Sequence, residues 1–111
     1  MDTLTFYQKI IQSVLLQYVD RQYANADIQN KAIFDLKNNS YCVISTGWNG
    51  IKRIHNCLIH IDIIDELVWI QQDGTEDGMA YELEAAGISK SAIVLGFQEP
   101  EVRPYTGYAV A

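Results

Sequence analysis

Residues 55–78 constrain the fold more than any other stretch, because two apolar runs separated by an acidic turn lead into a helix signal. The first run continues a segment from Ile51 to Ile63, and the second extends from Leu67 to Gln72. Asp65-Glu66 separates them. Short runs rich in β-branched residues and bounded by turn residues are typical of strands. The stretch therefore predicts the order strand, turn, strand, loop, helix.

Two more strands are predicted before this stretch. The first begins near Ala32 and the second extends from Tyr41 to Trp48. Residues 37–40 favour a turn between them, since Asn tolerates positive φ and Ser forms local side-chain hydrogen bonds. Asn49-Gly50 is the dipeptide preferred in type I′ turns and should return the chain antiparallel. We expect a four-stranded meander.

An amphipathic helix is predicted over residues 4–20, because apolar residues recur there at spacings of three and four. Asp2 or Thr3 can cap its N-terminus. Residues 24–30 are polar and linker-like. The apolar stripe consists of Leu4, Tyr7, Ile11, Val14, Leu15, Tyr18 and Val19.

A second, shorter helix is predicted after the loop Asp73–Asp77. Thr75 can cap it, Glu76 and Asp77 would lie in its first turn, and Gly87 is the stop signal. Residues 92–97 then favour a strand or a short helical turn. We predict a mostly irregular tail whose last seven residues dock as an extra strand on this sheet or on a neighbour's.

Together these elements predict one α+β domain over residues 1–111. It has a long N-terminal helix, a four-stranded antiparallel meander, a second helix and a mostly irregular C-terminal tail that could add a strand. The central strands carry apolar residues on both sides, and two helices on one face cannot cover both. A partner or a second copy of the chain is therefore expected, with a homodimer favoured.

The charge is distributed unevenly along the chain. Residues 62–101 hold ten acids and one base, a net charge of −9, whereas the rest of the chain carries +3. Proteins that bind DNA directly need clustered Lys and Arg to displace counterions from phosphates. We therefore expect no direct binding of nucleic acid. The acids are Asp62, Asp65, Glu66, Asp73, Glu76, Asp77, Glu82, Glu84, Glu99 and Glu101.

The chain is also expected to be cytoplasmic. Its apolar runs are far shorter than the ~20 residues that span a bilayer. Its first residues lack the pattern of a signal peptide. Cys42 and Cys57 fall on neighbouring predicted strands, and we interpret them as buried free thiols.

His55, Cys57 and His60 are residue types that bind zinc. On a regular strand, side chains alternate, so His55 and Cys57 share one face while His60 points to the other. Only a bulge between them would bring all three together. We predict no metal site and no cofactor.

The loop Asp73–Asp77 lacks the ligand spacing of a calcium-binding EF-hand loop. It could close a turn and cap a helix, bind a partner through its acids, or contribute to catalysis. No nucleophile or phosphate-binding motif accompanies it. The chain is therefore predicted not to be an enzyme. The alternative is a small ligand-binding protein or enzyme that uses His60, Asp62 and this loop.

Aromatic side chains offer large contact area at low entropic cost, which makes Trp48, Trp69, Tyr105 and Tyr108 candidate anchors for a partner. Combined with the acidic loop, they give a predicted partner interface. It consists of Trp69, Asp73, Glu76, Asp77, Tyr105 and Tyr108.

The sequence of residues 55–78, of Gly87-Ile88-Ser89-Lys90, of residues 93–97 and of residues 103–111 resembles the XisI-like proteins of cyanobacteria. These are the fdxN element excision controlling factors. Two positions depart from that family's pattern: Glu66, where Gly is common, and Gln98, where His is frequent. A role of that His in relatives would not carry over to this chain.

The resemblance implies a non-catalytic controlling factor for excision of a DNA element during heterocyst differentiation. It also implies action through protein binding, with a XisH-like partner related to restriction endonucleases in fold. In that setting, a separate recombinase exchanges the DNA strands.

Overall fold

A five-stranded sheet with two helices forms the protein, and the computed structural model describes residues 2–20 and 27–111. Its strand order is β1-β2-β3-β4-β5; the first four strands are antiparallel and β5 runs parallel to β4. The predicted α+β class and the meander are confirmed. The elements are α1 (Thr3–Val19), β1 (Asp27–Asp35), β2 (Ser40–Asn49), β3 (Lys52–Ile64), β4 (Leu67–Asp73), α2 (Met79–Ala86) and β5 (Ile93–Leu95), with 3₁₀ turns at Lys90–Ala92 and Arg103–Tyr105.

Helix α1 forms as its sequence predicts. Asp2 is the N-cap, and its Oδ1 accepts a hydrogen bond from the Thr5 amide at 2.7 Å. A carboxylate at this position satisfies one of the free amides of the first turn. One stripe of the helix is buried against the sheet: Ile10, Ile11, Val14, Leu15 and Tyr18.

Strand β1 begins earlier than predicted, at Asp27 instead of Ala32. Of the predicted linker, residues 24–26 lie outside the described residues, while 27–30 are strand. Residues 27–30 were predicted as linker because they are polar. They form a strand all the same, since the polar groups of the buried Asn30 are hydrogen-bonded. The Asn30 side chain donates from Nδ2 to the Tyr18 backbone carbonyl at 2.7 Å, and its Oδ1 accepts from the Ser45 hydroxyl at 2.6 Å. A buried polar group is tolerated when it is hydrogen-bonded.

The turn between β2 and β3 is one residue away from its predicted place. Asn49 pairs with Lys52, so Gly50 and Ile51 are the central residues of the turn. Gly50 has φ of 65°, and Ile51 does not have positive φ. That combination is typical of a type II′ turn with Gly first, whereas type I′ needs positive φ at both positions. The hairpin was predicted correctly and its turn type was not.

The turn between β3 and β4 forms at Asp65-Glu66, as predicted. Both residues have positive φ, 50° and 65°, as a type I′ turn requires. Neither is Gly, and a residue with a Cβ pays a conformational cost of roughly 1 kcal/mol in the left-handed region.

Replacing Glu66 by glycine relieves that cost but adds freedom to the unfolded chain, so a net stabilisation of about 0.5 kcal/mol and a Tm higher by roughly 3 °C are expected. Thermal unfolding followed by circular dichroism measures the change. The matched control is Glu76→Gly, at an exposed loop position without positive φ. There glycine only adds freedom to the unfolded chain, so Tm should fall slightly. A lower Tm for Glu66→Gly would contradict the left-handed turn.

Strand β3 contains a bulge that the alternation rule did not anticipate. Val43 of β2 pairs with Ile59, but the next residue, Ile44, pairs with Cys57, so Leu58 has no partner of its own. Such an extra residue exchanges the two faces of the strand, so that side chains before the bulge and side chains after it no longer alternate in phase. The prediction that His60 faces away from His55 and Cys57 is wrong for this reason.

The core lies between the two helices and one face of the sheet. Both helices contribute to it, α2 through Met79, Ala80 and Leu83. The sheet contributes residues of four strands, β2 to β5: Tyr41, Val43, Ile59, Ile61, Ile63, Val68, Ile70 and Ile93. Within the described ranges, neither helix is long and apolar enough to cross a membrane.

The C-terminal tail docks along β5 without becoming a strand. Of the two structures predicted for residues 92–97, the strand forms, as β5, and the 3₁₀ turn at Lys90–Ala92 precedes it. Farther on, the Ala109 amide donates to the Ile93 carbonyl at 2.8 Å, a single sheet-like bond. The last seven residues thus dock on the chain's own sheet, but the extra strand is supplied by Ile93–Leu95.

Candidate functional site

The sheet surface opposite the helices, which we call the open face, is the first candidate surface. Side chains alternate along each strand, so the residues between the buried ones point there. Ile33, Trp48 and Ile64 are 52%, 48% and 43% exposed on it. Its residues include Gln29, Lys31, Ile33, Asp35, Ser40, Cys42, Ile44, Trp48, Arg53, His55, Cys57, His60, Asp62, Ile64 and Trp69.

The tail covers one end of the open face. Val94, which pairs with Trp69, is fully buried although it lies outside the core. The Arg103 guanidinium stacks 5.1 Å from the centre of the Trp69 ring and donates to the carbonyls of Gly96 and Gln98. Trp69 is consequently half-buried against its own chain.

Asp62 organises the centre of the open face. Its Oδ1 accepts from the Ser40 hydroxyl at 2.6 Å and lies 3.0 Å from His60 Nε2, while its Oδ2 accepts from Gln71 at 3.3 Å. Ser40 and His60 both contact the carboxylate instead of each other. Activation of a serine requires the imidazole to contact the hydroxyl. The cluster therefore lacks the geometry of a nucleophile and its base.

The acidic loop lies away from this cluster. Asp73 pairs with Ile59, a core residue, so its side chain leaves the sheet on the helix side. His60 and Asp62 face the other way. The structure therefore does not bring together the residues of the predicted ligand-binding or catalytic alternative.

Asp73 holds the loop and the start of α2. Its Oδ1 accepts from the Thr75 amide at 2.9 Å and from the Thr75 hydroxyl, and its Oδ2 accepts from the Met79 amide at 2.7 Å. Helix α2 begins at Met79 after Gly78, which has φ of 93°. The predicted cap at Thr75 is wrong, because Asp73 satisfies the first helical amide from six residues away. The predicted end at Gly87 is confirmed by its left-handed conformation.

Glu76 and Asp77 consequently precede the helix instead of forming its first turn. Both are exposed, and neither carboxylate has a hydrogen-bond or ion-pair partner among the described residues. Asp65 and Glu66 are also exposed, but at the opposite end of β4. Seven strand residues separate the two pairs by roughly 20 Å. The exposed acids of residues 62–101 thus form separate charged sites instead of one continuous acidic surface.

Two acids of residues 62–101 serve as internal anchors for tyrosines. The Tyr18 hydroxyl donates to Glu82, which links α1 to α2. The Tyr108 hydroxyl donates to Glu84 at 2.5 Å, and this bond raises the pKa of Tyr108 to about 12. Tyr108 therefore fastens the tail to α2. Tyr105 is 88% exposed and remains available for a contact.

The two thiols are free and half-buried on the open face. Burial raises the pKa of Cys42 to about 11 and also raises that of Cys57. Both sulfurs are thus protonated near neutral pH, and a thiolate is the form that binds metals. The bulge brings His55 and His60 to the same face, yet residues 2–20 and 27–111 contain no group of three or more metal-ligating side chains close enough to hold an ion.

An open cleft of about 530 Å³ lies where β3 continues past the end of β4. It contains neither His60 nor Asp62, and no carboxylate lines it. Its lining residues are Ser45, His55, Asn56, Cys57, Leu58, Gln72 and Gly74.

At the exposed tip of the β2–β3 hairpin, sequence reasoning named Trp48 as a candidate anchor but missed Ile51 and Arg53. Ile51 is fully exposed there, and the Arg53 guanidinium lies 5.3 Å from the Trp48 ring centre. The signal was available, since Ile51 follows an Asn-Gly pair and a turn residue cannot be core. Of the predicted interface residues, Glu76, Asp77 and Tyr105 are free to contact a partner, whereas Trp69, Asp73 and Tyr108 make internal contacts.

Comparison with known proteins gives one family and several solved structures. The family model described as XisI protein matches residues 1–110. A XisI-like protein from Anabaena variabilis ATCC 29413 has a similar crystal structure, with 38% identity, a TM-score of 0.88, and coverage of 97% of this chain and 99% of that chain. The fdxN element excision controlling factor XisI from the same organism gives 31% identity, a TM-score of 0.83, and coverage of 99% and 100%. No curated protein matches.

Proposed function

The chain belongs to the XisI family, and from that membership we propose that it is a non-catalytic controlling factor for excision of a DNA element of the fdxN type. In this role it acts during heterocyst differentiation, in the cytoplasm, by binding a XisH-like protein of nuclease fold. It does not bind the DNA itself. Support for excision control comes from the likeness to a protein described as an fdxN element excision controlling factor. That likeness covers nearly the whole length of both chains.

The observation that carries a binding role is the open face. A two-layer domain normally buries one face of its sheet and presents polar side chains on the other. Here the open face presents two tryptophans and several isoleucines, and Ile33, Trp48 and Ile64 are about half exposed. Exposed apolar area of this kind is typical of surfaces that contact another protein.

The Asp62 cluster supports the non-catalytic part of the proposal. Ser40, His60 and Gln71 each direct a polar atom at its carboxylate. His60 is therefore not placed to take a proton from Ser40. The cluster cross-links β2, β3 and β4 through Ser40, Asp62 and Gln71. A structural role accounts for every contact it makes.

The acidic loop supplies the means of recognising a basic partner. Glu76 and Asp77 are exposed charges with no competing internal contact among the described residues. A nuclease-like protein must present positive charge to hold DNA, and opposite charges steer two proteins together. By occupying that positive groove, the chain would hold its partner away from DNA. The direction of control would then be inhibitory.

Changing Glu76 to Gln and Asp77 to Asn is expected to slow association with the XisH-like partner several-fold and to make the rate less sensitive to salt. Side-chain size is preserved, so the fold should not change. Stopped-flow fluorescence at several ionic strengths measures the association rate constant.

The matched control removes the same two charges at the other end of β4, by Asp65→Asn and Glu66→Gln. It changes the net charge equally but leaves the loop intact, so a smaller effect is expected. If both double variants slow association equally, only net charge matters. If the loop variant associates at the original rate, the open face becomes the better contact surface.

A further inference from the structure

The outer edge of β1 is the longest unpaired strand edge of the described sheet. Strand β1 is the first in the order β1-β2-β3-β4-β5, so its inner edge pairs with β2 and no described residue pairs with its outer edge. The opposite edge, at β5, is only three residues long and receives the Ala109 amide from the tail. The two edges are therefore not equivalent.

Strand β1 also lacks most features that keep edge strands from pairing. Its nine residues pair with β2 in an unbroken register, with no bulge, and contain neither Pro nor Gly. Natural edges are usually protected by bulges, prolines, inward charges or lysines. Of these features the strand carries only charged side chains, the exposed Lys31 and the aspartates Asp27 and Asp35 at its two ends. The edge is suited to strand addition wherever that lysine finds an acid.

A second copy offers that acid in a particular register. In antiparallel pairing about a two-fold axis through Ile33, Lys31 of each copy lies opposite Asp35 of the other, and Ile33 lies opposite its own equivalent. Centring on Lys31 instead places lysine against lysine and Asp27 against Asp35, and like charges directly opposite are destabilising. Centring on Gln29 pairs Lys31 with Asp27 but leaves the half-exposed Ile33 without an apolar contact.

We infer that two copies of this chain associate through their β1 edges, antiparallel and centred on Ile33, to form one continuous sheet. The contact combines backbone hydrogen bonds with one apolar pair and two Lys31–Asp35 charge pairs, all on the open face. Asp35 keeps the hydrogen bonds that its carboxylate accepts from Lys37 and Asn38, and its negative charge faces the lysine of the other copy. Main-chain bonds supply affinity in such strand additions, while the side chains set the register. The five strands of each copy become one sheet of ten.

The dimer would bear on the proposed function. Because its two-fold axis is perpendicular to the sheet, both open faces lie on the same side and both pairs of helices on the other. Two binding faces side by side would engage a two-fold partner with higher avidity than one. The inference concerns the isolated chain, so it can fail while the proposed function holds, and the reverse.

Disulfide trapping tests the register directly. In a background with Cys42→Ser and Cys57→Ser, Ile33→Cys should form an intermolecular disulfide under mild oxidation, because opposed residues bring their Cβ atoms to roughly 5 Å. Gln29→Cys is the matched control on the same strand and face. In this register the two copies of residue 29 are about eight residues apart along the strand, roughly 27 Å, so they should not cross-link. Cross-linking at 29, or at neither position, would overturn the inference.

A second measurement avoids new cysteines. Light scattering across micromolar concentrations should show a monomer–dimer equilibrium for the unaltered chain, and Lys31→Glu should weaken it about tenfold. The control Lys90→Glu makes the same charge change beside β5, at the opposite edge of the sheet, and should leave the dimer unchanged. A strict monomer, or equal effects of the two variants, counts against the β1 contact.

Discussion

Ile61→Ala is expected to destabilise the protein by about 3 kcal/mol, a larger effect than any other substitution proposed for this chain. Ile61 is fully buried on β3 and packs in the core between the sheet and the two helices. Alanine removes most of the side chain there and leaves a cavity that the surrounding structure only partly fills. Domains of this size have stabilities of roughly 5–15 kcal/mol, so a large fraction of the total is lost.

Urea denaturation followed by tryptophan fluorescence measures the effect, with Ile64→Ala as the matched control. Ile64 lies farther along the same strand, on the open face, and is 43% exposed. It should lose less than about 1 kcal/mol. Equal losses at the two positions would indicate that the open face is covered in solution, or that β3 is shifted by one residue.

Asp73→Ala is expected to lower the free energy of unfolding by about 2 kcal/mol, a large effect for a half-buried polar side chain at the end of a strand. The change removes every acceptor that holds the Thr75 amide, the Thr75 hydroxyl and the Met79 amide. Helix α2 then begins without a cap, and the first turn should fray. Hydrogen exchange at Met79 should accelerate more than exchange in the core strands.

Asp77→Ala is the control for this prediction, since that carboxylate is exposed and bonds to no described residue. Its effect on stability should stay within about 0.5 kcal/mol. Equal destabilisation by the two variants would contradict the assignment of Asp73 as the cap. The comparison also separates the structural acid of the loop from the acids proposed to meet a partner.

Local patterns determined most of the architecture. Helix α1 followed from an apolar stripe and a capping aspartate, and both signals lie within the helix or directly before it. The meander followed from short apolar runs and from turn residues such as Asp65-Glu66. The end of α2 followed from Gly87. Each of these features depends on residues a few positions apart, so the sequence alone is sufficient to reveal them.

The candidate site was only partly predictable. An uncovered apolar sheet face followed from the strand pattern, and the exposed acids of the loop followed from composition. The individual roles did not. Asp73 and Tyr108 were candidate contacts to a partner, yet one caps α2 and the other bonds to Glu84, far earlier in the chain. The sequence does not distinguish a tyrosine whose hydroxyl is hydrogen-bonded within the chain from one whose hydroxyl is free to contact a partner.

The sequence by itself determined which segments are helix or strand, because capping, periodicity and turn chemistry act over one or two turns of chain. Tertiary structure alone decided the bulge at Leu58, which places His60 on the face of Cys57, and the burial of Asn30 between Tyr18 and Ser45. These features depend on how neighbouring strands pair and on which distant polar atoms meet. Such contacts lower the free energy only after the chain has folded, so they leave no local periodic signal.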